Sequence, residues 1–205
     1  MSRSRFFTIA AGAALAGLFA AGIAAAAPDV GKPAPAFSGA DTAGKTWVLD
    51  DLKGTPLILE WTNHDCPYVV KHYGAGNMQA LQREAADAGY VWLSVISSAP
   101  GKQGHVSADQ ADELTASRNA APTAVLLDVD GTIGKAYGAR TTPHMFIIDE
   151  TGTLVFMGGI DDKPTTNPAD IEGADNYVRM AMADRAAGNP VQQAVTRPYG
   201  CSVKY

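Results

Sequence analysis

The chain has 205 residues, with 21 acidic and 16 basic side chains and a formal net charge of −5. An acidic balance of this kind argues against a protein that binds nucleic acid, so no nucleic-acid partner is expected. Hydrophobic residues make up 46% of the chain, which is enough to build the core of one domain.

The first residues have the pattern of an export signal. Arg3 and Arg5 precede an apolar run from Phe6 to Ala24, and small residues follow before Pro28. We therefore predict a cleavable signal peptide in residues 1–26 and an exported protein, periplasmic or secreted. The alternative is an uncleaved membrane anchor, because the run is close to the ~18 residues that a membrane span needs.

Beyond that segment, we predict one domain over residues 27–188 and a tail over residues 189–205 that carries Cys201. Two short extended pieces between Val30 and Leu52 predict an N-terminal hairpin. Apolar runs of strand length then alternate with segments of helical spacing. Strands are expected at 56–61, 90–96, 123–127, 145–149 and 153–157. Helices are expected after Cys66, with a break near Gly74, and at 108–118, 133–137 and 169–185. This order predicts an α/β fold with a mixed central sheet flanked by helices.

The first central strand leads into Cys66. A short polar loop separates Trp61 from this cysteine, and Pro67 after it suits the first position of a helix. A cysteine at a helix start meets backbone N–H groups and the positive end of the helix dipole, which favour the thiolate. The alternative is a small buried cysteine that only contributes to packing.

A second motif lies before the strand at 145–149. Thr142-Pro143 stands at its entrance, and proline is awkward there unless the strand begins at it or the peptide bond is cis. A cis Thr142-Pro143 bond would remove this conflict.

Together the two motifs resemble a known superfamily. Trp61 and Cys66-Pro67 on one side, and Gly138-x-Arg140-x-Thr142-Pro143 followed by Phe-Ile-Ile-Asp on the other, are similar to the thioredoxin-like superfamily. More narrowly, the motifs are similar to those of the redoxin branch, which contains peroxiredoxins of the alkyl hydroperoxide reductase and thiol-specific antioxidant type and exported thioredoxin-like reductases. The resemblance implies a thioredoxin-like fold over roughly residues 30–187.

The resemblance also implies roles for particular residues. Cys66 would be the attacking sulfur, and Pro143 would be cis and face it. Thr142 would offer its backbone groups to a partner sulfur or substrate. Arg140 would stabilise the thiolate or orient a peroxide, or else be a solvated arginine at the strand entrance.

This chain departs from both parent motifs. Val69 stands where a Cys-x-x-Cys protein has its second cysteine, so no local dithiol exists. Leu59 and Asn63 replace the proline and threonine of the peroxiredoxin motif Pro-x-x-x-Thr-x-x-Cys. Asn63 is left to bind a peroxide through its amide, which puts peroxidase activity in question.

Cys201 is the second of the two cysteines and follows Gly200, which gives the tail freedom to bend. It is a resolving cysteine for Cys66, a structural tie to it, or a partner for another chain. A tie closing a loop of about 135 residues would stabilise the fold by roughly 4 to 5 kcal/mol in the chain-entropy model.

We therefore expect a thiol-based oxidoreductase in which Cys66 attacks a peroxide or a protein disulfide and an external thiol acts as reductant. The competing interpretation is a non-catalytic binding protein, for a protein partner or for copper, since His64, His72 and His144 are potential ligands besides Cys66. No cofactor and no bound metal are predicted, and the oligomeric state is left open.

Overall fold

The computed structural model describes Met1 and residues 28–205. The predicted signal peptide falls, except for Met1, outside the described residues. Within 28–205, no helix combines the length and the apolar composition of a membrane span.

A five-stranded mixed sheet forms the centre of the domain, in the order β5-β4-β3-β7-β8. β3 pairs parallel with β4 and antiparallel with β7, while β4 pairs parallel with β5 and β7 antiparallel with β8. The strands are β1 (Ser38–Ala40), β2 (Thr46–Val48), β3 (Leu57–Trp61), β4 (Val91–Ile96), β5 (Ala124–Leu127), β6 (Thr141–Thr142), β7 (His144–Ile148), β8 (Leu154–Gly158) and β9 (Cys201–Ser202).

Helices cover the sheet, and the predicted mixed α/β architecture is confirmed. The α-helices are α1 (Pro67–Gly74), α2 (Asn77–Asp87), α3 (Ala108–Ser117), α4 (Thr132–Ala136) and α5 (Tyr177–Ala186), with short 3₁₀ helices at Leu49–Leu52 and Pro168–Ile171. On one face of the sheet, Trp61 and Phe146 pack against the N-terminal hairpin and α4. On the other face, Cys66, Met78 and Val178 belong to the core formed with α1, α2 and α5.

The central strand explains why this sheet forms. All five residues of β3 are buried, as expected for a strand covered on both faces. Glu60 is the acidic residue among the apolar residues of β3. Its carboxylate accepts hydrogen bonds from Tyr73, Gln82, Trp92 and Ser94. These donors satisfy a charge that would otherwise be too costly to bury.

The structure divides one predicted helix and adds a strand that the sequence did not predict. The helix predicted at 169–185 is divided into the 3₁₀ helix Pro168–Ile171 and α5, because Gly173 follows the first piece and Asn176 caps the second with its side chain on the Arg179 N–H. The tail contains a strand, β9, that pairs antiparallel with β6. The break near Gly74 is confirmed, since α1 ends there and α2 begins at Asn77.

Candidate active site around Cys66 and Cys201

Cys66 occupies the N-cap of α1, and Pro67 is the first residue of the helix. This confirms the predicted helix start. The Cys66 side chain is 0% exposed and belongs to the core on the α1 side of the sheet. The sulfur therefore lies at the positive end of a helix dipole but beneath the protein surface.

The cis Thr142-Pro143 peptide bond is present, as predicted. In the thiol form, Cys66 Sγ donates a hydrogen bond to the Thr142 carbonyl oxygen at 3.0 Å. The structure thus places the backbone of Thr142 against the sulfur.

The tail brings Cys201 to the same point. In the antiparallel pairing of β6 with β9, Cys201 is opposite Thr142. Gly200 allows this approach, because a Cβ at this position would lie 2.0 Å from the Thr142 carbonyl oxygen and because its φ of +134° is unfavourable for other residues. Two cysteines far apart in the sequence therefore share one site, and both are free thiols.

The environment of Cys66 favours its thiolate. Burial by itself raises the pKa of the Cys66 thiol, but hydrogen bonds from Cys201, the Thr142 side chain and the Val69 N–H outweigh burial and hold that pKa below its usual value. The Thr142 hydroxyl is buried and has no other hydrogen-bond partner among the described residues. It is therefore available to donate to the sulfur once the thiol has ionised.

Cys201 differs from Cys66 in its acidity. Burial first, and then the hydrogen bond and negative charge of Cys66, raise the pKa of Cys201 to about 11. Cys66 is thus the more acidic thiol of the pair, and Cys201 is the less acidic one. A lowered pKa favours the thiolate, which is the nucleophilic form of a cysteine.

Asn63 lies in the loop before Cys66, and its side-chain amide makes two hydrogen bonds there. Its Nδ2 donates to the Gln103 carbonyl oxygen at 3.2 Å, and its Oδ1 accepts the Asp65 N–H at 2.9 Å. Both ends of the amide are therefore used to fix the loop before Cys66. In this arrangement the side chain orders the loop, and the second hydrogen on Nδ2 has no partner within residues 28–205.

Arg140 is exposed, and its guanidinium makes no hydrogen bond or ion pair within residues 28–205. Its backbone N–H approaches His144 Nδ1 at 3.4 Å, and its carbonyl oxygen accepts the Val203 N–H. The structure thus brings the Arg140 backbone, rather than its charge, to the tail.

The histidines do not gather around Cys66. His144 contacts Phe146 in the core on the opposite face of the sheet, and His64 contacts Asp65 at the surface. The described part of the chain contains no group of three or more histidine, cysteine, aspartate or glutamate side chains placed to hold a metal ion.

Sequence reasoning missed the Thr142 hydroxyl and the pairing of the tail with β6. The glycine directly before Cys201 was the available signal, since glycine often marks a close approach of two backbones. The direction of the Thr142 side chain leaves no comparable trace in the sequence.

Several solved structures are similar to this chain. An uncharacterized conserved protein from Geobacillus kaustophilus has a TM-score of 0.73 and 24% identity over 86% of this chain and 92% of its own. A hypothetical protein from Sinorhizobium meliloti 1021 has a TM-score of 0.70 and 22% identity over 88% and 96%. A candidate thiol:disulfide interchange protein DsbE from Chlorobium tepidum has a TM-score of 0.52 and 21% identity over 64% and 85%. These likenesses show the thioredoxin-like fold.

No curated protein matches the chain. The model of the AhpC/TSA family matches residues 30–157, which is more than half of the sequence and includes Cys66, Thr142 and Pro143. The chain therefore belongs to the AhpC/TSA family, within the thioredoxin-like redoxins, and its function is in general terms a thiol-based redox function.

Proposed function

We propose that Cys66 and Cys201 form one redox couple within a single chain, with Cys66 as the attacking thiolate and Cys201 as the resolving thiol. The observation that carries this proposal is the pairing of Cys201 with Thr142, whose carbonyl oxygen accepts the hydrogen bond of Cys66. The opposite pKa shifts of the two thiols support the division of roles.

A peroxide is the oxidant that the site supports best. The Cys66 sulfur is 0% exposed, so a small oxidant fits the site more readily than a folded protein does. The thiolate attacks one peroxide oxygen and the O–O bond breaks, which gives a sulfenic acid on Cys66. The other oxygen leaves as an alkoxide or hydroxide and takes a proton from solvent to become an alcohol or water. The Thr142 hydroxyl and the Val69 N–H are the donors next to this reaction.

The loss of negative charge on Cys66 prepares Cys201 to react with the sulfenic acid. The Cys66 thiolate is one of the causes of the raised pKa of Cys201, and it disappears when the sulfur becomes a neutral sulfenic acid. Cys201 then ionises more easily and attacks Cys66, so that the S–O bond breaks, water leaves and a disulfide forms.

An external dithiol then reduces the disulfide. Cys201 is partly exposed whereas Cys66 is buried, so we propose that the reductant attacks Cys201. Cys66 is the better leaving group because the pKa of its thiol is lowered. Each turn transfers two electrons from the dithiol to the peroxide.

Thiol-disulfide exchange is the second candidate. An extended segment already pairs with β6 beside Cys66, and a disulfide-bearing segment of a protein would use the same backbone groups once the tail has moved. Cys66 would form a mixed disulfide, and Cys201 would release the reduced substrate and leave the same Cys66–Cys201 bond.

The sequence adds the location. We propose that residues 1–26 direct export, with residues 27–188 as the redoxin domain and residues 189–205 as its redox tail. An oxidising compartment permits the disulfide to persist until it meets its reductant.

The test is a count of free thiols in the purified, reduced protein before and after one equivalent of hydrogen peroxide, and separately after one equivalent of a small disulfide. We expect peroxide to remove both thiols rapidly and to give a peptide cross-linked between Cys66 and Cys201. Cys201→Ser should stop at a sulfenic acid, and Cys66→Ser should keep its remaining thiol. If neither oxidant joins the two cysteines, the proposed function is wrong.

A further inference from the structure

Helix α1 carries two ionisable side chains into the interior of the protein. The side chains of Lys71 and His72 are both 0% exposed. Asp161 Oδ2 lies 3.9 Å from Lys71 Nζ and 3.9 Å from His72 Nε2. Buried charges are costly without close partners. The redox chemistry of Cys66 does not use any of the three, so their burial requires another explanation.

The cluster is completed by a residue of the tail. The Tyr199 hydroxyl donates to Asp161 Oδ1 and lies 3.2 Å from His72 Nε2. His72 Nδ1 accepts from the side-chain amide of Asn77 at 2.8 Å, so the Nε2–H is the donor to the Tyr199 oxygen. The hydrogen bonds thus run in one direction, from Asn77 through His72 and Tyr199 to Asp161.

Packing adds to these bonds. The ring of Tyr199 lies edge-on to that of Tyr68 in α1, with centroids 5.7 Å apart, and Lys71 Nζ is 5.9 Å from the Tyr199 centroid. Lys71 itself donates to the Lys163 carbonyl oxygen at 2.9 Å. The tail is therefore attached to the same helix whose first turn begins at Cys66.

We propose that Lys71, His72, Asp161 and Tyr199, here called the Tyr199 latch, position the tail so that Cys201 faces Cys66. This inference rests on the proposed function. Only Gly200 separates Tyr199 from Cys201, so the latch fixes the point at which β9 begins. Tyr199 is a positioning residue, because its contacts are with the latch and with Tyr68 rather than with the reacting sulfurs.

The opposite end of the tail has its own attachments. Val203 donates to the Arg140 carbonyl oxygen at 3.0 Å, and the Lys204 carbonyl oxygen accepts the Ala99 N–H at 2.9 Å. Without the latch, the nearest backbone hydrogen bond before β9 would be at Thr196, whose N–H donates to the Met157 carbonyl oxygen at 3.1 Å. The effective concentration of Cys201 at Cys66 would then fall, because an intramolecular reaction depends on how tightly the two groups are held.

The test compares two full-length variants that each lose one hydroxyl group. Tyr199→Phe removes the latch hydroxyl and keeps the ring. Tyr68→Phe is the matched control, because its ring packs on Tyr199 while its hydroxyl makes no hydrogen bond within the described ranges. In the reduced protein, we expect Tyr199→Phe to increase hydrogen exchange of the backbone amides of residues 201–203 by about tenfold, because the variant loses a buried hydrogen bond that holds the tail. Exchange in β3 and β4 should not change.

Kinetics provide the second measurement. The rate of sulfenic acid formation, measured with peroxide in a Cys201→Ser background, should be the same with and without Tyr199→Phe. The rate at which the Cys66–Cys201 disulfide then forms should fall by about tenfold in Tyr199→Phe and should be unchanged in Tyr68→Phe.

The two failures are distinguishable. If the tail exchange and the disulfide rate of Tyr199→Phe equal those of Tyr68→Phe, the latch is overturned while the redox couple stands. If the protein without these substitutions forms no Cys66–Cys201 bond, the proposed function fails, and the exchange measurement still decides whether the latch holds the tail.

Discussion

Among single residues, Thr142 carries the group, its hydroxyl, whose removal most directly tests how the Cys66 thiolate is stabilised. It is buried without another partner in the described chain, and it stabilises the ionised form of Cys66. Replacing Thr142 with valine keeps the shape and removes the donor. We expect Thr142→Val to raise the pKa of Cys66, measured as the pH dependence of its alkylation rate and of the thiolate ultraviolet absorbance.

Thr62→Val is the matched control for this prediction. The Thr62 hydroxyl is also buried without a partner among the described residues, but it is not among the groups that shift the pKa of Cys66. An unchanged Cys66 pKa in Thr142→Val, or an equal change in Thr62→Val, would contradict a specific role for the Thr142 donor.

The sequence predicted the position of Cys66 better than the roles of its neighbours. A strand, a polar loop, a cysteine and a proline determine a helix start by local rules, and the structure follows them. The direction of the Asn63 side chain depends on its contact with a distant loop. Asn63 is held by Gln103, which is far away in the sequence, and no local pattern reports such a contact.

At the scale of elements, the pairing of β6 with β9 depends on the absence of a side chain at Gly200. An alanine there would place its Cβ 2.0 Å from the Thr142 carbonyl oxygen, in contact with backbone that cannot move aside easily. We therefore expect Gly200→Ala to separate the two strands and to slow formation of the Cys66–Cys201 disulfide by at least about tenfold, a cost of roughly 1.4 kcal/mol. Sulfenic acid formation at Cys66 should continue.

Gly188→Ala is the control that separates the steric effect of alanine on the β6–β9 pairing from the cost of placing alanine at a positive φ. Gly188 also has a positive φ, of +73°, but nothing lies within 4 Å of the Cβ that alanine would add. It should carry the conformational cost of about 1 kcal/mol without affecting the disulfide rate. Equal disulfide rates in the two variants, measured by quenched-flow thiol trapping, would show that β9 is not required.

The long elements could be predicted from the sequence, and the shortest ones could not. β3 and β4 are apolar runs with a length that only buried strands or helices explain, and the flanking turns decide between them. β9 has two residues and pairs with Thr141–Thr142, which lies about 60 residues earlier in the sequence. Neither periodicity nor composition marks such a strand, since its partner exists only after the rest has folded.

At the scale of the whole molecule, the tail connects parts of the domain that the sheet alone leaves separate. Tyr199 contacts α1, and Cys201 pairs with β6. The Val203 N–H donates to the Arg140 carbonyl oxygen, and the Tyr205 hydroxyl donates to the Ala139 carbonyl oxygen at 2.8 Å. The tail therefore contributes packing as well as a thiol. Formation of the disulfide would add a covalent bond to a strand that is already docked.

Two buried histidines make the stability of the whole domain sensitive to acid. Burial lowers the pKa of His72 from 6.5 to about 4, and burial followed by the charge of Arg140 lowers that of His144 from 6.5 to about 3. Between these values and 6.5 the unfolded chain binds protons that the folded chain does not. The free energy of unfolding should thus be highest above pH 6.5 and should fall as the pH decreases, by about 1.4 kcal/mol per pH unit for each histidine.

His144→Asn tests this prediction through the slope of stability against pH. Asparagine keeps an acceptor for the Arg140 N–H but does not titrate. Whatever its stability at pH 7, the variant should lose about 1.4 kcal/mol per pH unit less than the unmodified protein between pH 6 and pH 5, because one proton fewer distinguishes the two states. The measurement is urea unfolding at several pH values in this window. Parallel slopes would mean that His144 is protonated in the folded domain and that its burial does not control the acid response.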